Sequence, residues 1–139
     1  MVEAKIDSYY KAIWYGFIDG ILGVRCKRVS QPYLWMYREA WNEGSKVRDK
    51  VIYVNGHGVI FCKLCANTKL RELFLRKLAK IYTVDKAKRR KRTGASKALF
   101  ITAHISAMKT HLNKKHRSEL YWLIPAHLRK YLVTLAFTF

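Results

Sequence analysis

Two short motifs at a long separation constrain this chain more than anything else in it: Cys62-Lys-Leu-Cys65 and His111-Leu-Asn-Lys-Lys-His116. A Cys-x2-Cys knuckle lets two sulfurs converge on one ion, and a His-x4-His pair at a helix end can supply two imidazoles to complete a tetrahedron. Cys62, Cys65, His111 and His116 are therefore read as the ligands of one zinc ion. Such a shell is closed and leaves no open catalytic position. The residues before the cysteines suit a knuckle. Val51-Ile-Tyr-Val and Val59-Ile-Phe-Cys62 are β-branched runs around Asn55-Gly56, a dipeptide that tolerates the positive φ of a tight hairpin turn. Two other readings stay open at this point. The cysteines can be small buried residues at a strand end, with the histidines capping a helix, or a disulfide can join Cys62 to Cys65 or involve Cys26. His57 and His104 are spare imidazoles, and His57 reads as an exposed turn residue.

The 45 residues between Cys65 and His111 are far more than an ordinary finger holds, and they are strongly cationic. Residues 63–117 carry 17 Lys and Arg against Glu72 and Asp85, which accounts for +15 of the chain's net charge of +19. A domain this basic repels itself unless it meets a polyanion, so nucleic acid, DNA rather than RNA, is the expected partner. Within the segment, residues 67–82 read as an amphipathic helix with Leu70, Leu73, Phe74, Leu78 and Ile81 in one stripe. Lys69, Arg71, Arg76, Lys77 and Lys80 lie off that stripe. Then comes Lys86-Ala-Lys88-Arg89-Arg90-Lys91-Arg92, a run no core can absorb and one suited to ordering on a phosphate backbone.

The flanks are helical in pattern. Ile6, Tyr10, Ile13, Phe17 and Ile21 recur at intervals of three and four, predicting a helix over 2–24, where Gly16, Gly20 and Gly23 can permit close helix contact. Ser30 and Pro32 open a second helix over 32–49, with Leu34, Tyr37 and Trp41 on one side. A helix over 96–115, capped by Ser96, puts Phe100, Ile101, His104, Ile105, Met108, His111 and Leu112 on one broad face, so that His111 points inward. A last apolar helix runs from 119 to 139 and restarts at Pro125; it packs on the N-terminal helices, pairs with a second copy or docks a partner. The expected fold is mainly α, about five helices with one short β-hairpin carrying the knuckle, in a single compact domain. Its parts are a helical platform over 1–50, the finger-like 51–117 with a basic insertion at 66–98, and the C-terminal helix over 118–139.

Phe61-Cys-Lys-Leu-Cys65 and Ser106-Ala-Met-Lys-Thr-His-Leu-Asn-Lys-Lys-His116 together resemble the two halves of a BED-type or C2H2-type zinc finger. The resemblance covers about 30 residues of 139. It implies duplex binding, with Lys109, Asn113 and Lys114, and Lys115 beside them, on the helix that faces DNA. The family places its helix soon after the cysteines, whereas this chain inserts a helix and a basic loop. In composition the chain is also similar to small basic regulators of archaeal viruses and mobile elements.

Other function classes are disfavoured. The nine acids are scattered, with no close pair to hold catalytic magnesium and no glycine-rich phosphate loop, so an enzyme is not expected. Glu3 and Asp7 stand where a signal peptide needs basic residues, and no apolar run spans a bilayer. Three cysteines are an odd number for a secreted disulfide framework, which points to a reducing, intracellular setting: cytoplasm or nucleoid, the host cell for a virus, the nucleus for a eukaryote. The expected role is a zinc-stabilised nucleic-acid-binding protein in transcription regulation or genome handling. The alternatives are a regulator that inserts its cationic surface into the nucleic-acid channel of a machine such as RNA polymerase, and a virion or nucleoid packaging protein.

Overall fold

In the computed structural model, residues 6–65, 69–85 and 100–132 are described. The protein is mainly helical with a small antiparallel sheet. It divides into two compact units, Met1–Arg48 with His116–Phe139, and Asp49–Lys115. No described helix is long and apolar enough to cross a membrane.

The first unit is helix on helix. α1 (Tyr9–Leu22) starts later than its apolar period suggests, because Ile6 is taken by a parallel bridge to Val29. The Ile6 N–H donates to the Arg28 carbonyl and the Ser30 N–H to the Ile6 carbonyl, so extended pairing satisfies backbone groups there. α1 ends at Gly23, whose φ of 73° only glycine adopts cheaply. A 3-10 turn (Gln31–Tyr33) with Pro32 in its first turn leads into α2 (Leu34–Val51). α1 and α2 meet backbone to backbone. A Cβ on Gly20 would lie 2.1 Å from the Trp41 carbonyl oxygen, and one on Gly44 2.0 Å from that of Phe17. Trp14, Phe17, Ile13, Ile18, Ile21 and Met36 are fully buried in this unit. Tyr37 adds a polar cross-brace: its hydroxyl donates to Asp19 Oδ2 at 2.6 Å and accepts from the Cys26 N–H at 2.7 Å. Burial, and then the bond to Asp19, push the phenol well above its ordinary range. Toward the C-terminus, α5 (Arg117–Leu123) and α6 (Ala126–Arg129) flank an extended Ile124 and Pro125, the restart expected from the proline. Residues 133–139 lie outside the described part, and with them Leu135 and Phe139 of the expected tail.

The second unit is built on a sheet of order β1-β2-β3, with β1 (Ile52–Val54), β2 (Ile60–Cys62) and β3 (Ile101–Thr102). β1 and β2 form the expected hairpin, pairing Ile52 with Cys62 and Val54 with Ile60. The turn differs from a two-residue Asn-Gly turn. It spans 55–59, Gly58 takes the positive φ (80°), and Asn55 holds it together through its side chain. Asn55 Oδ1 accepts from the His57 and Val59 N–H groups, while Nδ2 donates to the Ala79 and Tyr82 carbonyls. Asparagine is therefore there for its amide rather than for its backbone freedom.

β3 corrects the helix expected over 96–115. Ile101 pairs with Phe61 and is 1% exposed, and the helix α4 (Ile105–Lys115) begins only after Thr102 Oγ1 has accepted the His104 N–H. Sheet pairing of two β-branched residues overrides the local helical period. Ser96, the expected cap, lies outside the described residues. α3 (Lys69–Ile81) is the expected amphipathic helix, rotated. Leu75 and Ala79 are buried with Val59, Phe61 and Ile101, and Leu78, Tyr82, Val84 and Cys65 pack against them. Leu73 and Ile81 are about half exposed, at 49% and 55%, so the buried stripe runs one position further along.

Candidate metal centre

β2 ends at Cys62, fully buried beneath the sheet edge, and its N–H donates to the Phe100 carbonyl. The chain then turns through Lys63 and Leu64, the Lys63 N–H being fixed on the Val51 carbonyl at 2.8 Å. That turn brings Cys65 back beside Cys62. On α4, Met108 and Leu112 are fully buried and set the helix face, which carries His111 with them at the i, i+3, i+4 spacing. The His111 Nε2 lies 3.2 Å from the Cys65 Sγ. His116 is the first residue after α4 and is 7% exposed.

One ligand atom from each of Cys62, Cys65, His111 and His116 can be chosen so that all four lie within 4.8 Å of one another. A tetrahedral site with metal–sulfur bonds of 2.3 Å and metal–nitrogen bonds of 2.0–2.1 Å has edges of roughly 3.3–3.8 Å. The set therefore needs to contract by about 1 Å at its widest edge to hold an ion, a shift within the reach of side-chain torsions. These four residues can hold a metal ion. The disulfide alternative is not what the structure contains: none of Cys62, Cys65 and Cys26 is in a disulfide. His57 and His104 are exposed and stand outside the cluster.

The electrostatics of the two sulfurs favour a cation between them once they ionise. The Cys62 thiol is pushed far above the ordinary thiol range, first by its hydrogen bond with Cys65 and then by burial. Two thiolates so close and so buried repel each other, and a cation between them removes the penalty.

Two supporting residues escaped the sequence reading. The Phe100 ring stacks on the His111 imidazole, with centroids 4.1 Å apart and planes 6° from parallel, which fixes the ring's orientation. Glu119 Oε1 lies 2.7 Å from the His116 Nδ1, leaving a ligand role to Nε2. A carboxylate on the far nitrogen of a ligating histidine sets its tautomer and raises its basicity. Glu119 has a signal in the sequence, since it follows His116 by three residues at the start of α5. Phe100 shares a face with His111 in the helix expected over 96–115, but it lies just before β3, and its contact with the imidazole is made from there.

The basic candidates are less uniformly placed. Arg76, Lys77 and Lys80 are exposed on α3, and Lys114 and Lys115 are exposed at the end of α4. Lys109 and Asn113 are half-buried on α4. Lys69 and Arg71 belong to α3, but their side chains, like Lys86 and Lys88, Arg89, Arg90, Lys91 and Arg92 altogether, lie outside what the structure describes.

No protein-family model, curated protein or solved structure matches this chain.

Proposed function

We propose that this chain is a zinc-stabilised nucleic-acid-binding protein acting inside the cell, in transcription regulation or genome handling. The observation that carries the reading is the Cys62, Cys65, His111, His116 cluster, which joins the two ends of the segment holding most of the positive charge. Two sulfurs and two imidazoles are the donor set zinc prefers over harder divalent ions. Bound there, zinc supplies cross-linking rather than reactivity, because four protein ligands leave no position for substrate. In this reading Arg76, Lys77 and Lys80, with Lys69, Arg71 and the 86–92 run, neutralise phosphates. Lys109, Asn113, Lys114 and Lys115 approach a groove of duplex DNA.

The test is the salt dependence of binding to duplex DNA. Six to ten phosphate contacts predict a loss of roughly 10³–10⁵ in affinity between 50 and 200 mM salt. Replacing Lys88, Arg89, Arg90, Lys91 and Arg92 by Gln weakens binding to all sequences alike, since phosphate contacts position without specifying. A shallow slope contradicts the reading.

The same cations would also fit a nucleic-acid channel such as that of RNA polymerase. The exposed Trp122 (68%), with the Arg129 guanidinium 4.9 Å over its ring, is the kind of anchor that a protein partner buries. A pull-down with and without nuclease separates the two: partners that survive nuclease favour the channel, and their complete loss favours direct binding. A packaging protein would instead bind without regard to sequence and in proportion to DNA length.

A further inference from the structure

The loop after α1 and the first half of α2 enclose a notch of about 560 Å³, within the size range of small-ligand sites. Its lining holds three cations, Arg25, Lys27 and Arg38, and no carboxylate. It also holds an aromatic plane, Trp41, the apolar Leu34 and the side-chain amide of Asn42. The arrangement is braced from behind. The Trp41 indole N–H donates to the Val24 carbonyl at 2.7 Å, and the Arg25 guanidinium sits 4.7 Å from the centroid of the same ring. Tyr37 and Cys26, also in the lining, are fixed to each other and to Asp19 by the hydrogen bonds described above.

Surface lysines alone would attract any anion. A concave site that combines an aromatic ring, a guanidinium over it, an amide and two further cations is more selective. The ring and guanidinium offer a stacking platform for a base, the amide can read a base edge, and Lys27 and Arg38 are the charges a phosphate needs. We infer that this notch binds a nucleotide, a nucleobase carrying at least one phosphate, presented either free or as an unpaired residue of a strand. Its residues are not those of the metal centre or of the basic run at 86–92, and they were not among those read from the sequence as nucleic-acid contacts.

The test is calorimetric titration of the full chain with AMP, adenosine, inorganic phosphate and a 5′-phosphorylated trinucleotide. AMP binds about tenfold or more tightly than adenosine or phosphate, because only it engages both halves of the notch. Arg38→Glu and Lys27→Glu each weaken AMP by about tenfold or more, the scale of one charge-assisted hydrogen bond. Lys50→Glu, the same charge change at another exposed residue of α2, alters it by about twofold or less, as screening at a distance requires. Trp41→Phe keeps a ring and most of the affinity, whereas Trp41→Leu loses it, with the circular-dichroism melt of each variant showing that it is folded. A trinucleotide that binds more tightly than AMP identifies a strand as the source, and equal affinity identifies a free nucleotide; either outcome supports the site. The inference is overturned by a parent protein that does not bind AMP, by adenosine or phosphate binding as well as AMP, or by Lys50→Glu costing as much as Arg38→Glu.

Discussion

Where α1 meets α2, backbone touches backbone, with Gly20 against Trp41 and Gly44 against Phe17, and the surrounding interior is filled by Trp14, Phe17 and a set of isoleucines. Among the described residues of the sheet unit, no glycine makes such a contact. Its buried apolar side chains include the cluster of Val59, Phe61, Leu75, Ala79 and Ile101, with Met108 and Leu112 on α4, and residues 63–117 carry most of the positive charge. A single core in a unit below about 70–80 residues rarely supplies more than about 3–5 kcal/mol, and natural domains of that size add a metal or disulfide. One region is ordered by close packing of small and large apolar groups, the other by a few specific polar ties and a ligand cluster. Each should therefore fail for a different reason.

On the proposed function, the sharpest way to break the contrast is chelation. A structural zinc held by Cys62, Cys65, His111 and His116 would be worth on the order of 10 kcal/mol, so chelation or Cys62→Ser should unfold the sheet unit, read as loss of amide protection across 52–62 and 101–112. The pH dependence sharpens this further. The ligands must be deprotonated to hold the ion, so the stability it gives grows with pH and is lost toward acid. Melts of the metal-loaded protein should fall as the pH is lowered, while in excess chelator the sheet unit should lack amide protection at every pH.

Gly44→Ala probes the other region. Its Cβ would meet the Phe17 carbonyl oxygen at 2.0 Å, a backbone atom that cannot rotate away, and overpacking of this kind costs about 3 kcal/mol. Denaturant melts should show that loss whether or not metal is present. Asn55→Ala should follow at about 2 kcal/mol, since it leaves buried backbone groups at the 55–59 turn and at the end of α3 without their partners. The smallest effect belongs to Glu119→Gln, which keeps the size of the side chain and weakens its hold on His116. Metal affinity should fall by about tenfold in a chelator competition, and the metal-loaded protein should lose the matching ~1.4 kcal/mol in its melt.

Much of the site could be read before the fold was seen, because metal ligation leaves its spacing in the chain. Cys62, Cys65, His111 and His116 needed only residue type and interval, and the glycines of α1 announced a close helix approach. The missing features share a physical character: they depend on what lies opposite. Ile101 and Thr102 look helical until Phe61 and Ile60 are there to pair with them. The face α3 buries is chosen by Val59, Phe61 and Ile101, so Leu73 and Ile81 turn outward although their period is sound. Asn55-Gly56 reads as a two-residue turn until the carbonyls of Ala79 and Tyr82 claim the amide. Gly44, the closer partner in the helix contact, carries no signal without Phe17 beside it.

Metal analysis of the purified chain, paired with the visible spectrum after cobalt substitution, addresses the ligand cluster most directly. The account predicts one metal per chain, with the intense bands of tetrahedral cobalt and a sulfur-to-metal charge-transfer band, and loss of all three in Cys62→Ser and His111→Ala. A parent protein that purifies without metal, takes up no cobalt and keeps its protected amides in excess chelator would contradict it.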